Sequence, residues 1–475
     1  MAHSRIPYER IHLVGIGGVG MSAIATVLLG RGHRISGSDL AENVFTRRLR
    51  AAGADVAVGH AAGHVDGAEL VIVSTAIRAE NPEWREARRR GLPIWRRGRA
   101  LAQILKAGRA LAITGTHGKT TTTAMAGLAL IDAGLDPTVL VGADVPGLGG
   151  NARVGAGPWL VAEVDESDGS LVESRPELAI LTNVEPDHLD YYRDLAHLTE
   201  TFEAFLGRLP PAGVAIGCLD NPPVQCLFSR WGGPRRTYGL DHPGADLTAR
   251  GIVHPSGLGG VAFEAVHHRR SLGEVRLRIP GRHNVANALA VILAGLEIGL
   301  DFETVAASLS RYGGADRRYQ IKGACGGVTV IDDYAHHPTE IKATLAAARA
   351  RLAEPPAGRI VGVFQPHRYT RTASLGPEFG PAFREADTLV VTDVYAAGED
   401  PIAGVDGQVI ADVVARDGHP DVHYVAQPAD VVEFLKPRLR AGDLLFTLGA
   451  GDIWRVGEDL LRALAEREGT LRAAG

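Results

Sequence analysis

From Gly115 to Thr120 the chain reads GTHGKT, with a lysine and a threonine directly behind a glycine. Phosphate-gripping loops use that arrangement. Backbone N–H groups and a helix N-terminus surround the phosphate, the ammonium neutralises its terminal oxygens, and the hydroxyl serves a magnesium ion. The usual spacing asks for another glycine at 113, where this sequence has Ile113, so the loop is a shortened G-x-x-G-K-T. Lysine usage favours function: only five of the 50 basic residues are lysines (Lys106, Lys119, Lys322, Lys342 and Lys436), yet one sits here. Gly115, Thr116, His117, Gly118, Lys119, Thr120 and Thr121 are therefore read as a nucleotide phosphate site, with a plain glycine turn as the competing reading.

Two acidic clusters follow the loop. EVDESDGS carries Glu163, Asp165, Glu166 and Asp168; NVEPDHLD carries Asn183, Glu185, Asp187, His188 and Asp190. Crowded carboxylates either face water or share a cation. Two such clusters beyond a phosphate loop suggest oxygen-rich magnesium sites, with His188 as an imidazole ligand. An earlier turn, Gly15-Ile16-Gly17-Gly18-Val19-Gly20, matches G-x-G-x-x-G, and Ser38 and Asp39 lie about 20 residues on, as a nucleotide-diphosphate fingerprint expects. In PGRHNVANALA, His283, Asn284 and Asn287 could hydrogen-bond or stack on a base, although Asn284 as a helix cap is the simpler account. DDYAHHPTE and QPHRYTRT place Asp333, Tyr334, His336, His337, His367, Arg368 and Arg371 behind apolar strands, where open parallel sheets hold ligands. The two arginines suit a carboxylate or phosphate clamp.

Strand and helix patterns alternate from RIHLVGIG onward, which requires an α/β fold with parallel sheets covered by helices. A chain of 475 residues exceeds a single core, and the patterns divide into three blocks, 1–107, 108–315 and 316–475. Charged residues at 22% and apolar residues at 45% match a globular protein, and 59 glycines without a low-complexity tract indicate tight loops rather than disorder. Cys218, Cys226 and Cys325 lack metal or disulfide spacing, as expected in a reducing compartment. With no secretory start and no run of about 18 apolar residues, the expected location is cytoplasmic, without a membrane span. The net charge of -5 hides an asymmetry: 16 basic against 9 acidic residues up to position 107, and 34 against 46 beyond it. A basic first domain suits an anionic substrate, but NPEWREARRRG alone accounts for much of the excess and reads as a helix with solvated arginines.

GIGGVGMSAIA, GTHGKTTTT, EVDESD, NVEPDHLDYY, HNVANALA, DDYAHHPTEI, FQPHRYTRT, DVYAAGE and LGAGDIW occur in this order across nearly the whole chain. Together they resemble the Mur ligase family, whose own phosphate loop has the short spacing. The resemblance implies a Rossmann-like N-terminal domain for a UDP-sugar, a P-loop-type central ATPase domain and a Rossmann-like C-terminal domain for an amino acid. It implies ATP- and Mg2+-dependent joining of L-alanine to UDP-N-acetylmuramate through an acyl phosphate, in peptidoglycan precursor synthesis. The implied form is a monomer or weak homodimer with no nucleic-acid partner.

By the same resemblance, Lys119 and Thr120 serve ATP and magnesium, Glu166 and His188 bind metal, His283, Asn284 and Asn287 hold adenine, and Asp333 approaches the ribose. Gly15, Gly17, Gly18, Gly20, Ser38 and Asp39 would receive the sugar nucleotide. Tyr334, His367, Arg368 and Arg371 would face the reacting end and the amino acid.

Several sibling enzymes support a second magnesium with a carbamylated lysine; this chain has no lysine between Lys119 and Lys322, so Glu166, His188 and water are expected to do so. The general base stays open among His188, His337 and His367. Substrates bound on three domains also require closure about the two junctions. Two other classes compete: a nicotinamide-dependent oxidoreductase, which leaves GTHGKT and both acidic loops without a task, and a non-catalytic nucleotide-binding scaffold. Within the family, a ligase that recycles a preformed peptide onto the same sugar is the runner-up.

Overall fold

Unbroken apolar runs such as Leu70–Val73 (LVIV) and Ile360–Phe364 (IVGVF) have no polar face to turn to water, so both faces of their sheets must be covered. A computed structural model gives the arrangement for residues 6–189, 191–255, 260–352 and 358–474. Asp190, part of the second acidic cluster, lies outside the described residues.

The described residues form three sheets. The first is parallel, in the order Asp55–Val58, Arg34–Asp39, Arg10–Val14, Leu70–Val73, Ile94–Arg96. The glycine turn at 15–20 leaves the end of its central strand. The second sheet has ten strands, with Arg109–Thr114 between Leu178–Leu181 and Trp159–Glu163. Beyond Leu178–Leu181 the sheet continues through Val214–Cys218 and Arg235–Gly239 and ends in an antiparallel ribbon of Leu247–Val253, Val261–His267 and Arg270–Leu277. The third has six strands in the order Gln320–Cys325, Val328–Asp333, Leu444–Leu448, Ile360–Phe364, Thr388–Val391, Val422–Tyr424, all parallel except the first. The α/β class expected from the alternation is what the chain adopts.

Register explains why the site residues gather. Ile113 pairs with Ile180 and Glu163, so the phosphate loop and both acidic loops leave the same edge of the sheet. In the third sheet Asp333 and Phe364 both pair with Leu448, which brings DDYAHHPTE and QPHRYTRT to one edge as well. The helix Pro82–Arg89 and its C-cap expose Arg85, Arg88, Arg89 and Arg90, the solvated face its sequence suggested, but the helix buries Glu83 completely. Among the described residues no helix is long and apolar enough to cross a membrane.

Candidate active site

The phosphate loop is shaped by contacts that tolerate no side chain at two of its glycines. Gly115 has φ +122°, and a Cβ there would lie 2.2 Å from Thr182 Oγ1; Gly118 has φ +82°, and its Cβ would lie 2.7 Å from Asn287 Oδ1. The helix Lys119–Asp132 starts directly behind it. Thr182 and Asn183, at the end of the strand Leu178–Leu181, brace the loop: Thr182 Oγ1 donates to His117 O at 2.6 Å, His117 N to Asn183 Oδ1 at 2.8 Å, and Thr116 N to Asn183 O at 3.0 Å. Asn183 thus supports the loop, a role its place in an acidic cluster did not signal.

Lys119 Nζ donates to Gly115 O (2.6 Å), Thr116 O (3.1 Å) and both oxygens of Glu166 (3.0 and 2.9 Å). Burial alone would lower the affinity of this amine for its proton, but Glu166, Asp165 and Glu163 together raise it above the ordinary lysine value. Thr120 Oγ1 donates to Glu163 Oε1 at 3.1 Å. Glu166 is 1% exposed, and Tyr192 Oη donates to its carbonyl at 2.6 Å.

His188 takes φ +53°, a conformation that costs a non-glycine residue of order 1 kcal/mol or more. It holds Nε2 3.7 Å from both Glu166 Oε1 and Asp187 Oδ2. Asp165, Glu166 and His188 each offer a ligand atom, all within 4.8 Å of one another. This donor set, two carboxylates and an imidazole beside the Thr120 hydroxyl, fits a hard divalent cation, and the Lys119 ammonium already lies 3.0 and 2.9 Å from two of its oxygens, those of Glu166.

The C-terminal domain is docked onto these loops. Arg371, 7% exposed, donates from Nε and Nη2 to Asp187 at 3.1, 2.9 and 3.3 Å, and Asp187 is 8% exposed. Although burial works against ionisation, Arg371 holds this carboxyl far below the usual range. Thr339 Oγ1 donates to Glu185 at 2.5 Å, and His337 Nε2 to Pro186 O at 3.2 Å. His117 lies 3.5 Å from Glu185 and 3.3 Å from Glu340 of the C-terminal domain. Burial disfavours its charged form, but the two carboxylates push its pKa up to about 9. Arg371, read as a clamp for a substrate carboxylate, is thus committed to a carboxylate of the protein.

Three histidines of this domain separate by their hydrogen bonds. His367 Nδ1 accepts from Arg371 Nη1 at 3.2 Å, which puts the ring's own proton on Nε2. His337 accepts from Thr339 N at Nδ1 and donates from Nε2, so both its nitrogens are occupied. Neither has a free acceptor nitrogen for a proton, contrary to their reading as candidate bases. His336, without a separate role in the motif pattern, donates from Nδ1 to Tyr334 O at 2.9 Å, and among the described residues no hydrogen bond engages its Nε2. Burial and Arg371 bring His336 down to about 3, and burial with His336 and Arg371 brings His367 down to about 2. Both rings are therefore neutral at pH 7. Arg368, with φ +70°, lies 3.8 Å from Glu399 and lines a small cavity with Asp187, His188, Thr370 and Arg371.

Asp333 accepts from Tyr319 N and Ala335 N, both at 2.8 Å, and burial raises its pKa to about 6. The Tyr334 ring lies under Arg317 and Arg318, 5.1 and 5.0 Å away. Arg318, 3.8 Å from Glu340, escaped the sequence reading because DRRYQ has no motif spacing. Asn287 adjoins the phosphate loop at Gly118, while His283 is exposed at the start of the same helix, Arg282–Ile298. Asn284 is not the cap: Gly281 holds that position, and Asn284 Nδ2 donates back to Pro280 O at 2.7 Å.

In the first domain the glycine turn is held from the end of Arg34–Asp39. Ser38 O accepts from Gly15 N (2.9 Å) and Ile16 N (3.0 Å), and Asp39 accepts from Gly17 N and Leu40 N, both at 2.8 Å. Asp39, read as a ligand for substrate, thus shapes the turn. Ser38 Oγ donates to the buried Glu83 at 2.5 Å and lies 2.9 Å from His60 Nδ1. Burial opposes the charge on Glu83, but hydrogen bonds from His12, Ser38 and His64 bring its pKa down to about 2. Gly18 is the N-cap of the helix Val19–Gly30, and Gly20 lies in its first turn.

Three family descriptions match this chain in sequence: the Mur ligase family catalytic domain over residues 10–109, the Mur ligase middle domain over 113–295, and the Mur ligase glutamate ligase domain over 317–451. The chain belongs to the Mur ligase family. Among Mur ligases, the UDP-N-acetylmuramate–L-alanine ligase of Pelotomaculum thermopropionicum is 45% identical over 97% of this chain and 98% of its own length. The enzyme of the same name from Desulfosudis oleivorans is 47% identical over 95% of this chain and 97% of its own. The crystal structure of UDP-N-acetylmuramate-alanine ligase from Thermotoga maritima aligns with a TM-score of 0.81 at 31% identity, covering 97% of this chain and 99% of that one. A murein peptide ligase from Psychrobacter arcticus aligns at 0.70 and 23% identity, over 96% and 98% of the two chains, a likeness of fold.

Proposed function

We propose that this Mur ligase joins L-alanine to UDP-N-acetylmuramate at the expense of ATP, with its division of labour at about residues 107 and 315. The carrying observation is identity of 45–47% over at least 95% of the chain with relatives of that activity. The geometry supports it, since a buried ammonium, an acid-and-histidine cluster and the ends of the third sheet converge.

A carboxylate has no leaving group. Its oxygen must first attack the γ-phosphorus of ATP, breaking the bond to ADP and forming an acyl phosphate. A base takes one proton from the alanine ammonium, the freed nitrogen attacks the acyl carbon, and phosphate departs with the second proton. The obstacle is the approach of two anions, which fixed cations relieve. Lys119 would do this, exchanging Glu166 for phosphate oxygens as ATP binds. Magnesium held by Thr120, Glu166 and His188 would supply further positive charge to the phosphates. Asn287 and His283 would border the adenine, Asp333 the ribose, and the glycine turn the sugar nucleotide. Arg368, at the cavity beside His188, would meet the alanine carboxylate.

ADP release measured with UDP-N-acetylmuramate against a panel of amino acids and one tripeptide tests the reading. Alanine should give the highest rate, and Lys119→Ala should fold but lose turnover. A preference for the tripeptide would move the chain to the peptide-recycling branch. Turnover at wild-type rates in the lysine variant would refute the loop assignment.

A further inference from the structure

Arg97 belongs to none of the motifs. It opens the helix Arg97–Leu105 of the first domain, and its Nη2 donates to Asp165 Oδ2 at 2.8 Å, across the junction with the central sheet. Asp165 adjoins Glu166, whose oxygens hold Lys119. On its other side the guanidinium covers the first turn behind the glycine loop: a Cβ on Gly20 would lie 3.2 Å from Arg97 Cδ and 3.3 Å from Nη1. The junction is tight here, since a Cβ on the next residue, Gly98, would fall 1.7 Å from Ser170 Oγ. A guanidinium carries five N–H donors. Among the described residues the Arg97 side chain makes a single hydrogen bond, to Asp165, and is 16% exposed, so its remaining donors are open to a second anion.

We propose that Arg97 couples the two nucleotide sites, its guanidinium shared between Asp165 and the phosphates of the sugar nucleotide on the glycine loop. This rests on the proposed function, which supplies that anion. The coupling is positive. A cation delivered with ATP beside Asp165 weakens that carboxylate's hold on the guanidinium and leaves the fork freer for the diphosphate. Reciprocity then requires the sugar nucleotide to favour ATP by the same factor.

Calorimetric titration of UDP-N-acetylmuramate, with and without a magnesium-bound non-hydrolysable ATP analogue, tests this on the full chain without turnover. In the unaltered protein the analogue should tighten sugar-nucleotide binding by about fivefold or more. Arg97→Met should weaken sugar-nucleotide binding about ten- to a hundredfold and remove the coupling. Asp165→Asn, which takes away the competing carboxylate, should leave sugar-nucleotide binding measured without the analogue equal or tighter. Arg97→Lys, which keeps the charge but not the fork, should fall between, and it carries the test if the methionine variant melts early. Coupling retained in Arg97→Met would overturn the proposal, as would weakening in Asp165→Asn equal to that in Arg97→Met, the mark of a merely structural junction. Failure of the unaltered protein to bind UDP-N-acetylmuramate at all would overturn the proposed function as well.

Discussion

Replacing Arg371 by methionine keeps most of its buried stem and removes the charge that faces Asp187. The two side chains are 7% and 8% exposed, and three hydrogen bonds of 2.9 to 3.3 Å join them across two domains. Removing one partner of so buried a pair leaves an uncompensated anion, at a cost of about 3–5 kcal/mol. Because the pair spans a domain interface, that cost falls on docking rather than on either core, and at about 1.4 kcal/mol per tenfold it lowers the docked population roughly a hundredfold or more. Neutralising both ends in Asp187→Asn/Arg371→Met removes the stranded charge, so the double variant should be nearer the parent than Arg371→Met, with a coupling of about 2–3 kcal/mol. Hydrogen–deuterium exchange of segments 183–189 and 336–341 reads the opening free energy directly. The pair should contribute fully at neutral pH. Asp187 has its carboxyl pKa depressed, so the stabilisation is present above the ordinary aspartate value and is lost only as pH falls through the lower docked value. Additive single effects, or a loss in Arg371→Met below about 1 kcal/mol, the scale of an exposed pair, would refute the reasoning.

His117 carries the opposite sign. Its pKa is pushed up to about 9 by Glu340 and Glu185 against the effect of burial, so its contribution to docking is fully present below about pH 6.5 and is lost as pH rises through about 9. Exchange protection of 336–341 should fall across that window in the parent and stay flat in His117→Gln. His336 has an open Nε2, but a ring held at about 3 is too weak a base to take a proton from an ammonium. His336→Phe is expected to lower kcat by less than about tenfold with nucleotide affinity unchanged, while His337→Gln should instead weaken docking; a hundredfold loss of kcat in His336→Phe would reinstate it as proton acceptor.

What could be read from the sequence was whatever depends on spacing along the chain. The phosphate loop, both acidic loops and the polar ends of the third sheet announce themselves because a strand must stop and a helix must start where a ligand is to sit. The shortened loop and the scarcity of lysine single out Lys119, whose ammonium the fold sets against Glu166. What the sequence concealed depends on contacts between segments far apart in the chain. Arg371 and Asp187 are separated by 184 positions, and nothing local distinguishes an arginine bound for a substrate from one bound for the neighbouring domain. Histidine roles were hidden for a related reason: His336 and His337 are adjacent and chemically identical, but one ring donates to Tyr334 O from Nδ1 while the other accepts at Nδ1 and caps a helix. Glu83 shows the limit most sharply. Its helix reads as solvated, and four arginines do face water, yet a single turn inward the carboxylate gathers His12, Ser38 and His64 beneath the glycine turn. Periodicity identifies a buried stripe by its apolar residues. A buried charge on that stripe becomes visible only when the donors that compensate it are brought to it by the fold.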